Sequence, residues 1–449
     1  MPYEGEFAGY HPLRRLVESE RVKELLARAK VFRPSHAVHK AMPAQAPPAP
    51  NQSPSFTLAI DGSYTEVDVK NGYPGAKVGY CTVASVFLDL QLIDLLDAIR
   101  PADPREFRKT EQPSAIDTSL PGSNVVTHGQ RSARASFRFE LYDFLRSKWI
   151  DDDDRTRLLD TYEVLLSYRP NMHDPACPCS PDGCEEHFPI GCGTSQCPCP
   201  KQRPIFSTDA LRIQDRFRDF GSNGEAFGLV MQVLERILLI HLLRCFERRR
   251  LLQKMDRIAF VLDGPLAVFG PPAWLSAAIS SELKRINREV RRLTGNDLIL
   301  LGVEKSGEFV NHFEELDNTE TPGEFLFQPR TYMLLTDSYI KERVTQSESD
   351  KRYGADTYFG RKVFYKTRSG ARVVVNIPFL DDAQDTLDAV DIGIYPRFPT
   401  IIALIDRLVS SRFPNAVSPL VAAHAHAAIP LHLGAKILTE LARALMRES

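Results

Sequence analysis

Along most of this chain, short apolar runs of β character alternate with longer stretches of helical periodicity. The run Phe56-Thr57-Leu58-Ala59-Ile60 stops abruptly at Asp61-Gly62-Ser63. A second apolar run, 258–262, stops in the same way at Asp263-Gly264. Each reads as a buried strand that carries an aspartate to its carboxyl end, at the rim of a sheet where sites are built.

Other elements follow from the same patterns. Leu13, Leu16, Val17, Val22, Leu25 and Leu26 recur at helical spacing and predict one helix over 11–30. The Pro/Ala/Ser-rich stretch 42–54 reads as a linker. One or two strands within 77–90 pair with the first strand. Residues 91–99 read as helix, 101–135 as loop for want of apolar anchors, and 137–165 as helix interrupted by four aspartates at 151–154. Those aspartates read as solvated surface. A long helix over 224–254 leads into the second Asp-Gly strand. An amphipathic helix over 273–294 follows, with Arg285, Arg288, Arg291 and Arg292 on its polar side. A strand at 298–303 ends in Glu304-Lys305-Ser306-Gly307, and a short run at 332–335 ends in Thr336-Asp337-Ser338. Residues 358–366 and 372–377 form a hairpin around Ser369-Gly370. The remainder is helical, with His424 and His426 at the head of the last helix. This order predicts the α/β class, a mixed sheet with helices on its faces. It divides the chain into 1–54, an N-terminal helix and linker, and 55–449, a domain interrupted by a cysteine-rich insert at 173–203.

Composition narrows the classes. With 449 residues, 43% hydrophobic and 25% charged, the chain is long enough for one large domain or two. The formal net charge of -2 gives no global basic field for nucleic acid, so any such contact needs a local patch. No apolar run reaches about 18 residues without a charge, so no membrane span is expected. The opening residues lack a basic segment followed by an apolar one, and a cytoplasmic protein is expected.

Two strand-end aspartates brought together repel, and a divalent cation is the usual reason to tolerate that. A third acid can be sought on the helix before Asp263. The strand 257–263 spans roughly 20 Å, which is about 13 residues back along a helix. That points to Glu235, which interrupts an apolar face formed by Met231, Leu234, Leu238 and Leu239. Glu247 is the competitor, but Arg248-Arg249-Arg250 follow it and it reads as solvated. His424 and His426 are candidate nitrogen ligands, and alternate helical positions do not readily share one ion. Oxygen and nitrogen donors suit Mg²⁺ or Mn²⁺. Lys305 is placed to meet a phosphate. Glu304 and Asp337 either join the ion or cap neighbouring elements. Arg361, Lys362 and Lys366, with Lys305, are candidates for a basic lining.

Ala59-Ile60-Asp61-Gly62-Ser63, Leu262-Asp263-Gly264-Pro265-Leu266, Gly302-Val303-Glu304-Lys305-Ser306-Gly307, Leu335-Thr336-Asp337-Ser338 and the late His424 helix occur in the order found in the NurA nuclease family, which the chain resembles from Phe56 onward. The resemblance implies an RNase H-like core and a Mn²⁺-dependent DNA nuclease. It also implies a homodimer working with a HerA-type hexameric ATPase on DNA ends. It maps the metal-site aspartates onto Asp61 and Asp263, the helical glutamate onto Glu235, and the late histidine onto His424, with His426 as the other choice. A family tyrosine before that histidine falls on Tyr365 or Tyr395. A scaffold that docks the ATPase without catalysis is the alternative.

Six of the eight cysteines crowd into one segment: Cys177, Cys179, Cys184, Cys192, Cys197 and Cys199, with His173 and His187 nearby. In a cytoplasmic chain this pattern favours a thiolate metal, structural Zn²⁺, over disulfides. Cys81 and Cys245 lie in apolar runs and read as buried thiols.

Overall fold

The computed structural model describes residues 10–29, 42–48, 50, 53–70, 75–91, 111–150, 155–169, 177–179, 184–185, 187, 189–319, 321, 323–388, 390–409, 418–429, 437–441 and 443. Expectations that fall on 92–110, on the four aspartates 151–154 and on His173 lie outside these residues.

The N-terminal pattern makes two helices, α1 (His11–Glu18) and α2 (Glu20–Arg28), and not the single one expected. Ser19 between them is extended, with φ -65° and ψ 118°, which breaks the helical hydrogen-bond ladder. Strand β1 (Ala44–Gln45) lies within the supposed linker. The long strand β2 (Phe56–Lys70) pairs antiparallel with β3 (Ala76–Asp89), which pairs with β4 (Glu111–Pro121). The segment read as loop therefore holds a strand. β4 is an edge strand anchored mainly by Ile116 and Leu120, so its sequence shows little apolar signal.

Helices α3 (Ala133–Ser147) and α4 (Leu158–Ser167) follow. A small hairpin, β5 (Thr194–Gln196) with β6 (Pro204–Phe206), closes the cysteine-rich insert. The 25-residue helix α5 (Gly224–Arg248) leads to β7 (Ile258–Asp263), which α6 (Leu275–Thr294) connects to β8 (Ile299–Glu304). After α7 (Glu308–Asp317) come β9 (Thr331–Leu334), β10 (Gly360–Lys366) and β11 (Arg372–Pro378), then α8 (Phe398–Leu408) and α9 (Ser418–Ala427).

Nine strands form one sheet in the order β1-β9-β10-β11-β8-β7-β2-β3-β4. β7 lies parallel to both β2 and β8, while β3, β4 and β11 join antiparallel. The half β4-β3-β2-β7-β8 is the RNase H-like arrangement that the resemblance implies. Strand alternation sends Leu58, Ile60, Phe260 and Leu262 to one face and Ala59 and Val261 to the other. The first face is covered by α3, α4, α5 and α6, the second by α8 and α9. Central β7 is buried on both faces, which is why it reads as a continuous apolar run. Helix α5 is long and apolar enough to cross a bilayer, but 72% of its most apolar window is buried inside the protein, so its character is that of a core helix.

Candidate active site

The two Asp-Gly strands are direct neighbours. Their parallel register runs from Phe56↔Ile258 to Ile60↔Leu262. The next residue on each strand is Asp61 and Asp263, which puts their backbones about 5 Å apart on the same pleat. Asp61 is nearly buried, whereas Asp263 is about a quarter exposed. Burial is the largest influence on Asp61 and raises its carboxyl above the usual range. Asp263 raises it further, while His424 and Lys305 oppose the shift.

The backbone holds both acids at the rim. Gly62 N–H donates to Asp61 Oδ1 at 2.8 Å. Gly264, at φ +82°, turns the chain away after Asp263 while its N–H still donates to the Val303 carbonyl at 2.8 Å.

Glu235 comes from the opposite face of the sheet. It sits on α5, nine-tenths or more buried. A Cβ placed on Gly62 would lie 2.8 Å from Glu235 Oε1 and 2.9 Å from Met231 Cγ. The missing side chain of Gly62 is thus the gap through which Glu235 reaches the rim. Burial, with Asp61 and Asp263 adding to it, pushes the Glu235 carboxyl up to about 8 despite the guanidinium of Arg236.

His424 approaches on α9, with its Nδ1 2.9 Å from Asp61 Oδ2. The helix is tied to β2 by Ser63, whose hydroxyl donates to the Ala427 carbonyl and accepts from Ile429 N–H at 3.3 Å. Both histidines lie at the C-terminal end of α9, not at its head. The small residues around them carry no capping signal, so their sequence did not mark which end they occupy. Lys305 follows β8, with Nζ 3.1 Å from Asp263 Oδ1.

Asp61, Asp263, Glu235, His424 and Lys305 are therefore brought to one end of the sheet from five elements or their flanks. Each acid has a basic partner: Asp61 has His424, Glu235 has Arg236 at 3.0 Å, and Asp263 has Lys305. Among the described residues, three ligand atoms within 4.8 Å of one another occur only at the cysteine cluster, so the carboxylates stand wider than a closed ligand cage. Three carboxylates and one imidazole form an oxygen and nitrogen donor set that fits Mg²⁺ or Mn²⁺.

Other candidates lie elsewhere. Glu247 is held by both terminal nitrogens of Arg285, at 2.8 and 2.6 Å. Glu304 accepts from Lys362 and from Asn376 at 2.7 Å, and Asp337 accepts from Tyr353 N–H and pairs with Lys341. Tyr365 donates to Asp406 and Tyr395 to the Gln384 carbonyl. Arg361, Lys362 and Lys366 are buried and do not form a basic lining. Lys362 is paired with Glu304, Lys366 with Asp317, and Arg361 donates to the Leu335 and Leu387 carbonyls. Their partners are distant in sequence, so the sequence alone offers these side chains as a basic lining.

One residue of the site was missed. Arg236 is buried, pairs with Glu235, and donates to the Ala267 and Pro265 carbonyls at 3.2 and 3.0 Å. It clamps the loop after Asp263 to α5. The signal was available, since a charged Glu-Arg pair in an apolar helix needs a buried partner.

The sequence matches the model of the NurA domain over residues 57–411. The chain belongs to the NurA family. The crystal structure of the NurA nuclease from Sulfolobus solfataricus aligns over 98% of this chain and 99% of its own, at 13% identity and a TM-score of 0.38. A second crystal structure, of NurA, aligns over 97% and 95%, at 10% identity and a TM-score of 0.28. No curated protein matches this chain. The match to the NurA domain ends before α9, so His424 lies beyond it.

Proposed function

We propose that this NurA-family chain is a divalent-metal-dependent nuclease that hydrolyses phosphodiester bonds in DNA, at DNA ends. One observation carries the reading: Asp61 and Asp263 end adjacent parallel strands, and Glu235 reaches them through the gap at Gly62. Three acids converging from separate elements have a large electrostatic cost that catalytic metal chemistry explains.

Asp61, Asp263, Glu235 and His424 would hold Mn²⁺ or Mg²⁺. Bound there, the ion supplies a water of lowered pKa and stabilises charge on the phosphate. The chain's own groups do the rest. Lys305, about a third exposed, faces the rim and binds a non-bridging phosphate oxygen. His424 is exposed on its outer side and orients Asp61 through Nδ1. Arg236 fixes both Glu235 and the Asp263 loop, so the acids keep their relative placement. In keeping with the family resemblance, the working form is proposed to be a homodimer that receives DNA from a HerA-type hexameric ATPase.

The test is degradation of labelled linear DNA with Mn²⁺ or with EDTA, alone and with the ATPase. Wild type is expected to cut only with the metal, and Asp61→Ala to be inactive under both conditions. Intact DNA in every arm, with the ATPase still bound, would make the chain a docking scaffold.

A further inference from the structure

Five of the insert's cysteines turn inward and join the main core: Cys177, Cys179, Cys184, Cys197 and Cys199. The Sγ atoms of Cys177, Cys184 and Cys197 lie within 4.8 Å of one another. Cys177 and Cys197 sulfurs are 3.2 Å apart, and Cys184 and Cys197 sulfurs 3.5 Å. A disulfide requires about 2.05 Å. Sulfurs about 2.3 Å from one tetrahedral ion sit about 3.8 Å from each other. The observed spacings lie well beyond a disulfide bond and somewhat short of that second value, and none of these cysteines is bonded to another.

The backbone also prepares these sulfurs as acceptors. Cys179 N–H donates to Cys177 Sγ at 3.3 Å. Cys197 and Cys199 occupy the turn of the β5–β6 hairpin, where Cys197 N–H donates to the Arg203 carbonyl and Gln202 N–H to the Cys199 carbonyl. Cys199 is buried two residues further along the same turn, beside the close trio but outside its 4.8 Å grouping. A peptide N–H donated to sulfur favours the thiolate form that a metal requires.

We propose that Cys177, Cys184, Cys197 and Cys199 bind one structural Zn²⁺. Cys179 stands beside the site and orients Cys177 through its backbone. Cys192 is outside it: exposed, with its sulfur 3.9 Å from the Glu163 carbonyl. A tetrathiolate zinc carries net charge -2, and the surroundings answer it. The buried guanidinium of Arg138 acts electrostatically on Cys177 and Cys179 while its own fork holds Asp209 at 2.7 and 2.6 Å and the Pro204 carbonyl at 3.0 Å. The ion would thereby tie the insert to α3 and to the segment that leads into α5, the helix carrying Glu235. This is a second metal centre of different chemistry: soft sulfur ligands closed to solvent, against hard oxygen ligands at the sheet rim.

The experiment is elemental analysis of the purified full-length protein. One zinc per chain is expected, retained through dialysis against Mg²⁺. Replacement by Co²⁺ should give the intense sulfur-to-metal absorption and tetrahedral d–d bands of a four-thiolate site. Cys192→Ser and Cys179→Ser should keep the full zinc content, and Cys199→Ser should lose it by tenfold or more. Wild-type protein with substoichiometric zinc and no cobalt spectrum would overturn the site. Zinc lost from Cys179→Ser but kept by Cys199→Ser would overturn the choice of fourth ligand. The wild-type measurements stand even where a variant does not fold.

Discussion

His424 Nδ1 lies 2.9 Å from Asp61 Oδ2, although 363 positions separate the two residues. The contact joins the last described long helix to the first core strand. It gives the imidazole a defined orientation and gives Asp61 a partner that offsets part of its burial. His424→Ala is expected to weaken metal activation about 10- to 100-fold, the range for a lost ligand-orienting group. The measurement is cleavage rate against Mn²⁺ concentration. An unchanged midpoint would remove His424 from the site, and His426→Ala is the matched control.

Gly62→Ala introduces one methyl where Glu235 Oε1 and Met231 Cγ would be 2.8 and 2.9 Å away. Overpacking of this kind costs about 1–3 kcal/mol. The expected result is a lower urea midpoint and a larger fall in cleavage than the stability loss accounts for, because Glu235 is displaced from the rim.

In metal-free protein, stability should fall as pH rises. The folded state holds the Glu235 proton up to about pH 8, whereas an unfolded chain releases it near 4.5. Between those values the folded state binds the extra proton, so raising the pH favours unfolding, and the contribution is complete only below about 4.5. Urea unfolding in EDTA across pH 5 to 8 checks this. Glu235→Gln should flatten the dependence.

Lys362→Ala is expected to destabilise the fold by about 3–5 kcal/mol, since Glu304 loses its buried partner. It should leave DNA affinity unaltered. Lys305→Ala should have the opposite profile, with little loss of stability and weaker DNA binding. Denaturant melts and DNA binding titrations on the two variants separate buried from substrate-facing cations.

The strand-end aspartates were legible because an apolar run that stops at Asp-Gly has few structural meanings, and Glu235 because strand and helix rise are fixed lengths. The sequence was silent where meaning depended on distant partners. β4 has too few apolar positions to show as a strand, yet β3 pairs with it along its length. Lys366 reads as part of a basic lining until Asp317 is found beside it at 2.7 Å. Gly62 reads as a turn residue, while its role is to leave room for a helix on the far side of the sheet. Such roles belong to pairs of segments, and no local window contains both.

The position of His424 also bears on biosynthesis. A ribosome releases the three carboxylates well before the imidazole, so a nascent or prematurely stopped chain carries an unfinished centre. Only translation past residue 424 supplies the imidazole that pairs with Asp61, so the proposed centre is completed among the last steps of synthesis.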